Sequence, residues 1–143
     1  RPIQLAVGAP GPQGSDAAEC VLDASQLADL FAYVSTPEFA EQLVGSFETD
    51  GRQLLMELGQ ANARGDWVAL RDRAHALRGS AANLGLVALR EEAARMQHRG
   101  DNELRYAGKR QVQDLAAAFE TASRALKTEV AKYTATGVGT SGT

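Results

Sequence analysis

Proline all but disappears after the start of this chain. Of its four prolines, Pro2, Pro10 and Pro12 fall within the first twelve residues, and only Pro37 lies beyond them. Proline breaks helices because it lacks an N–H and its ring clashes with the preceding turn. The span 19–133 otherwise excludes it and is rich in Ala, Leu, Glu, Gln and Arg, all good helix formers. β-Branched residues never gather into a run there, so no strand pattern competes. The span is expected to be all-α, an antiparallel four-helix bundle with a short additional N-terminal helix. The flanks read differently. Residues 1–18 mix prolines with Gly8, Gly11 and Gly14, and residues 134–143 are mostly Thr, Gly and Ser. They are expected to be a flexible linker and a disordered tail around the bundle domain at 19–133. The early glycines do not form a phosphate loop, since no strand precedes them and no helix follows.

The helices can be placed from their caps and apolar stripes. A short one is expected at Ala24–Phe31, capped by Asp23, with Leu22, Leu27, Leu30 and Phe31 on its apolar side. The run Ser35-Thr36-Pro37-Glu38 is a start signal: a hydroxyl cap, a first-turn proline, and an acid at the positive end of the dipole. Phe39, Leu43, Phe47, Leu54 and Leu58 then recur at near-helical spacing, with a kink expected near Asp50-Gly51. Gly65-Asp66 ends this helix and caps the next. There Trp67, Leu70, Ala74, Leu77, Ala81 and Leu84 alternate steps of three and four, a continuous stripe on one face. Asn83-Leu84-Gly85 ends it. A fourth helix carries Leu86, Leu89, Ala93 and Met96 and stops at Gly100-Asp101. A fifth carries Tyr106, Val112, Leu115, Phe119, Ala122, Leu126, Val130 and Tyr133.

Charge and composition narrow the function. Fifteen Lys+Arg against eighteen Asp+Glu leave a net charge of −3, and aromatics are only 6%. Neither a nucleic-acid coat, a polybasic membrane binder nor a single-strand stacking platform fits. The one cysteine, Cys20, cannot build a disulfide framework or a multi-cysteine metal site, and a reducing cytoplasm is the expected compartment. No apolar run approaches the ~18 residues of a membrane span, and no secretory signal is visible.

One polar residue stands out. His75 follows Ala74, so it lies about 100° around its helix from the apolar stripe and should face solvent. Gly79, one turn later, sits inside an otherwise strong helix where Ala would be about 1 kcal/mol better. Such a glycine either clears space beside the imidazole or permits close helix packing. His98 has the plainer explanation of complementing a helix C-terminus. No His-x-x-x-His, Glu-x-x-His or cysteine spacing supports a metal site. Glu91-Glu92 point in different directions, so a carboxylate pair for acid/base work is not supported. Ser80 lacks the Gly-x-Ser-x-Gly context of a hydrolase.

The whole run His75-Ala-Leu-Arg-Gly-Ser-Ala-Ala-Asn-Leu-Gly85 resembles the signature of histidine-containing phosphotransfer (HPt) domains. That signature reads His, any residue, Leu, Lys, Gly, Ser/Ala, Ala/Ser, any residue, Asn/Ser, apolar, Gly. One position departs: the family's usual Lys is Arg78. Gln97 stands where these domains place a Gln beside the phospho-accepting His. Gly65-Asp66 precedes the active helix as in the family, and the resemblance covers about residues 20–133.

The resemblance implies a relay. A receiver domain carrying phospho-Asp would donate to His75, and another receiver would take the group onward. Neutral imidazole offers a ring-nitrogen lone pair as nucleophile. Arg78 would offset phosphoryl charge, Gly79 would give the receiver access, and Gln97 would orient the ring. The domain would need no cofactor, because Mg²⁺ would belong to the partner receiver. The chain has no nucleotide box or kinase motif set, so it would be a carrier without kinase activity of its own. Leu27, Leu30, Ala82 and Leu86 are expected to meet the receiver, within a basic rim of Arg71, Arg78, Arg95 and Arg99 suited to an acidic pocket. The linker-like start suggests a module of a larger protein, of which the commonest is a bacterial hybrid sensor kinase, and five helical stretches in one chain argue for a monomer. The domain would then lie at its C-terminus, on the cytoplasmic side of the membrane. Two other readings stay open: a docking-only relative that is not phosphorylated, and an unrelated structural bundle.

Overall fold

The computed structural model describes residues 21–32 and 36–142, and the side chains of 21–32 and 36–133. The expected linker at 1–18, Cys20 and Ser35 lie outside the described residues. Among the described residues, five helices with defined bounds run in order: α1 (Ala24–Ala32), α2 (Pro37–Arg64), α3 (Trp67–Asn83), α4 (Val87–Gln97) and α5 (Asp101–Gly142). Short turns fold α2 to α5 back on one another. α2 packs on α3 and α5, and α4 packs on α3 and α5, which closes a four-helix bundle.

The caps act where the sequence places them. Thr36 is extended at φ −140°, and its hydroxyl accepts from the Phe39 N–H at 3.2 Å, with Pro37 in the first turn. Gly65 closes α2 at φ 70°, a left-handed conformation that suits a residue without a Cβ. Asp66 opens α3 by accepting from the Ala69 N–H at 3.1 Å. The stripe on α3 is fully buried at Leu70, Ala74, Leu77 and Ala81. It meets Leu58 of α2, Leu89 and Met96 of α4, and Leu115, Phe119 and Leu126 of α5 in one core.

Three expectations change. α2 runs unbroken through Asp50 and Gly51. Gly51 is there for packing: a Cβ would collide with the Phe119 ring, which itself stacks on Phe47 at 5.2 Å. Tyr106 is not part of the apolar face of α5. It is 86% exposed, and Leu104, Gly108 and Gln111 are the buried residues of that segment. The stripe shifts because Gly108 must admit Asn62 of α2, whose side chain fills the space a Cβ would take. Finally, α5 continues to Gly142, across the stretch expected to be a disordered tail. Extending a helix already nucleated and packed is far easier than starting one.

α1 is held across the turn between α3 and α4. The Asp23 N–H donates to the Gly85 carbonyl at 2.6 Å, and Gln26 Nε2 donates to the Ala82 carbonyl at 2.5 Å. Gly85 sits at φ 68°, and a Cβ on it would press on Asp23 and Gln26. At the far end of α1, the Phe31 ring lies 4.7 Å from Tyr133 of α5, whose hydroxyl donates to the Phe31 carbonyl at 2.9 Å.

Candidate functional site

His75 lies on α3, one helical step past buried Ala74, and it is exposed. The tight turn at 84–86 brings α4 back alongside, so that Gln97, its last residue, arrives beside the ring. Gln97 Nε2 is 3.1 Å from His75 Nδ1. That contact occupies one ring nitrogen and leaves Nε2 without a partner among the described residues. Arg78, one turn along α3, donates from Nη1 to Gln97 Oε1 at 3.0 Å. The three side chains form a chain: guanidinium, amide, imidazole.

Gly79 adds the opening. An ideal Cβ at this position would meet nothing within 4 Å, in contrast to Gly51 and Gly108. Close helix packing therefore does not explain Gly79, and its missing side chain leaves the approach to His75 low and open.

The other predicted residues divide. Leu27 and Leu86 are only 1% and 0% exposed, so they build the core and offer no surface to a partner. The reason is the docking of α1 over the α3–α4 turn, which seals both. Leu30 and Ala82 are partly buried. Arg71 reaches across to the next turn, donating to the Arg99 carbonyl at 3.1 Å and to Asp101 at 2.7 Å. Arg99 bonds Gln111 and Glu103, both at 3.1 Å. The Gly100 N–H and Arg99 hold the Glu103 carboxyl below its ordinary range. Arg95 is exposed and paired with Glu92 on its own helix. The expected basic rim is thus largely neutralised by its own carboxylates. Among the described residues, Arg78 alone of these four arginines makes no ion pair. No group of three or more His, Cys, Asp or Glu is arranged to hold a metal among the described residues. Sequence reasoning placed Arg78 and Gln97 around His75 separately. It missed their bond to each other, since no local signal sets the register of α3 against α4.

The Hpt domain family model matches residues 42–135, from the second turn of α2 into α5. This chain belongs to the Hpt domain family. That gives the Hpt domain a phosphotransfer role in two-component signalling, in which Hpt domains act with receiver domains. Relatives agree. The "Sensory/regulatory protein RpfC" of Xanthomonas campestris pv. campestris, in two strains, is 35% identical over 101 residues, 71% of this chain. The match spans only 14% of that protein's length. Among solved structures, the histidine-containing phosphotransfer protein HptB from Pseudomonas aeruginosa PAO1 superimposes with a TM-score of 0.69 at 25% identity. The superposition covers 78% of this chain and 96% of that one. No helix of the Hpt domain, among the described residues, is long and apolar enough to cross a membrane.

Proposed function

We propose that this Hpt domain is a phosphorelay intermediate, with His75 Nε2 as the atom that carries the phosphoryl group. The observation that supports it best is the Gln97 contact to Nδ1, which leaves Nε2 as the ring nitrogen without a partner among the described residues, near the open position at Gly79. In the forward step, the Nε2 lone pair attacks the phosphorus of a receiver's phospho-aspartate. The N–P bond forms, the P–O bond to the aspartate breaks, and the carboxylate leaves with its electron pair. Arg78 is within a turn of the ring and offsets the charge spread over the phosphoryl oxygens. The chain's own residues supply position and charge, while Mg²⁺ comes with the receiver. The return step to a second receiver uses the same groups in reverse. Leu30, Ala82 and Arg95 remain as docking candidates on the surface around the site. The parent is a hybrid sensor kinase, whose cytoplasmic end carries this module.

The test is to incubate the Hpt domain with a panel of phosphorylated receivers and to compare it with His75→Gln. Acid-labile phosphate is expected on the wild type only. Binding without label would identify a docking-only relative, and neither binding nor label would leave a structural bundle.

A further inference from the structure

We propose that Arg78 is a positioning residue that, before transfer, latches Gln97 and so holds His75 in the tautomer that cannot attack phosphorus. The inference rests on the phosphoacceptor role of His75 and concerns how that site is switched on. A guanidinium only donates hydrogen bonds. The Gln97 atom 3.0 Å from Arg78 Nη1 must therefore be the amide oxygen, which turns the NH₂ toward His75 Nδ1 at 3.1 Å. An NH₂ donates as well, so Nδ1 must present its lone pair. A neutral imidazole has one N–H and one lone pair. The proton then sits on Nε2, the nitrogen whose lone pair the transfer needs.

Release comes from competition for the guanidinium. An incoming phosphoryl group offers anionic oxygens that the planar guanidinium can engage bidentately, with charge on both partners, which a single neutral amide oxygen cannot match. Arg78 turns to the phosphoryl group, and Gln97 loses the donor that fixed its orientation. Its amide rotates, so that Oε1 faces the ring. The exposed imidazole gives the Nε2 proton to water and takes one from water at Nδ1, now bonded to Oε1. No net proton is gained, and the Nε2 lone pair is free when the phosphorus is in place. The same group that needs the nucleophile thereby unlocks it.

The experiment is a long-range ¹H–¹⁵N NMR measurement, on the full chain at alkaline pH, of the tautomers of the neutral histidine rings. His98, an exposed histidine in the turn after α4, is the internal reference. His75 is expected to hold the Nε2–H form about fivefold more strongly than His98, the ratio one hydrogen bond supplies. Arg78→Met should erase that excess, and Arg78→Lys, whose ammonium also only donates, should restore it. A His75 tautomer ratio equal to that of His98, or an excess that Arg78→Met leaves unchanged, overturns the latch. These readings need no receiver, so they are independent of whether the wild type takes label in the transfer assay.

Discussion

Two glycines on neighbouring helices show how differently the same residue can be used. At Gly51 a methyl group has nowhere to go, because the Phe119 ring already fills the space. Gly51→Ala should cost about 1–3 kcal/mol through overpacking, read as a lower Tm. At Gly79 a Cβ would meet nothing within 4 Å. Gly79→Leu should keep the fold and raise its stability by up to about 1 kcal/mol, from helix propensity alone. It should nonetheless abolish transfer from a phosphorylated receiver, by obstructing the approach to His75. Normal transfer by that variant would remove the access role. The sequence singled out Gly79 but could not choose between packing and access, since that choice depends on what faces the position. His75 was legible by register, one step off the stripe, while the burial of Leu27 and Leu86 was not. Their apolar character suits a core or a docking surface equally, and only the seating of α1 decides.

Among the elements, α1 is the most conditional. It is short, and short helices are marginal without tertiary support. Its start depends on Asp23, whose carboxylate accepts from the Ser25 hydroxyl at 2.8 Å and from the Ser25 and Gln26 N–H groups at 3.1 Å. The Ser25 hydroxyl first, then the Gln26 N–H, holds this carboxyl below its ordinary value of 3.8. A folded-state value lowered in this way stabilises the cap above the unfolded value. The contribution fades as pH falls through the folded one. α1 should therefore loosen on acidification beginning near pH 3.8, seen as lost amide-exchange protection at Leu27 and Phe31. Asp23→Ala should lose that protection already at neutral pH and show no further acid step. At the other end, Tyr133→Phe removes the hydroxyl bonded to the Phe31 carbonyl. It should lower stability by about 1 kcal/mol, measurable in denaturant unfolding.

Across the whole molecule, a net charge of −3 is arranged so that most arginines near the site serve the fold. Arg71 ties α3 to the α4–α5 turn through Arg99 and Asp101. Arg71→Ala should lower stability by about 1 kcal/mol, while transfer by the fraction that remains folded stays close to wild type. A large loss of transfer at unchanged stability would instead make Arg71 part of the receiver surface.

Class and chemistry were legible along the chain. Near-absence of proline, caps at Thr36 and Asp66, and the stripe from Trp67 to Leu84 dictate helices, because these are local effects of backbone and periodicity. The run from His75 to Gly85 pointed to the family, which the Hpt model match shows, and to His75 as the candidate nucleophile. How those parts act together is a matter of tertiary contact. The register of α3 against α4 brings Gln97 to Nδ1 and Arg78 to Gln97, and the seating of α1 buries Leu27 and Leu86. Such choices depend on which faces meet across turns, and side-chain contacts between helices have no period along a single chain.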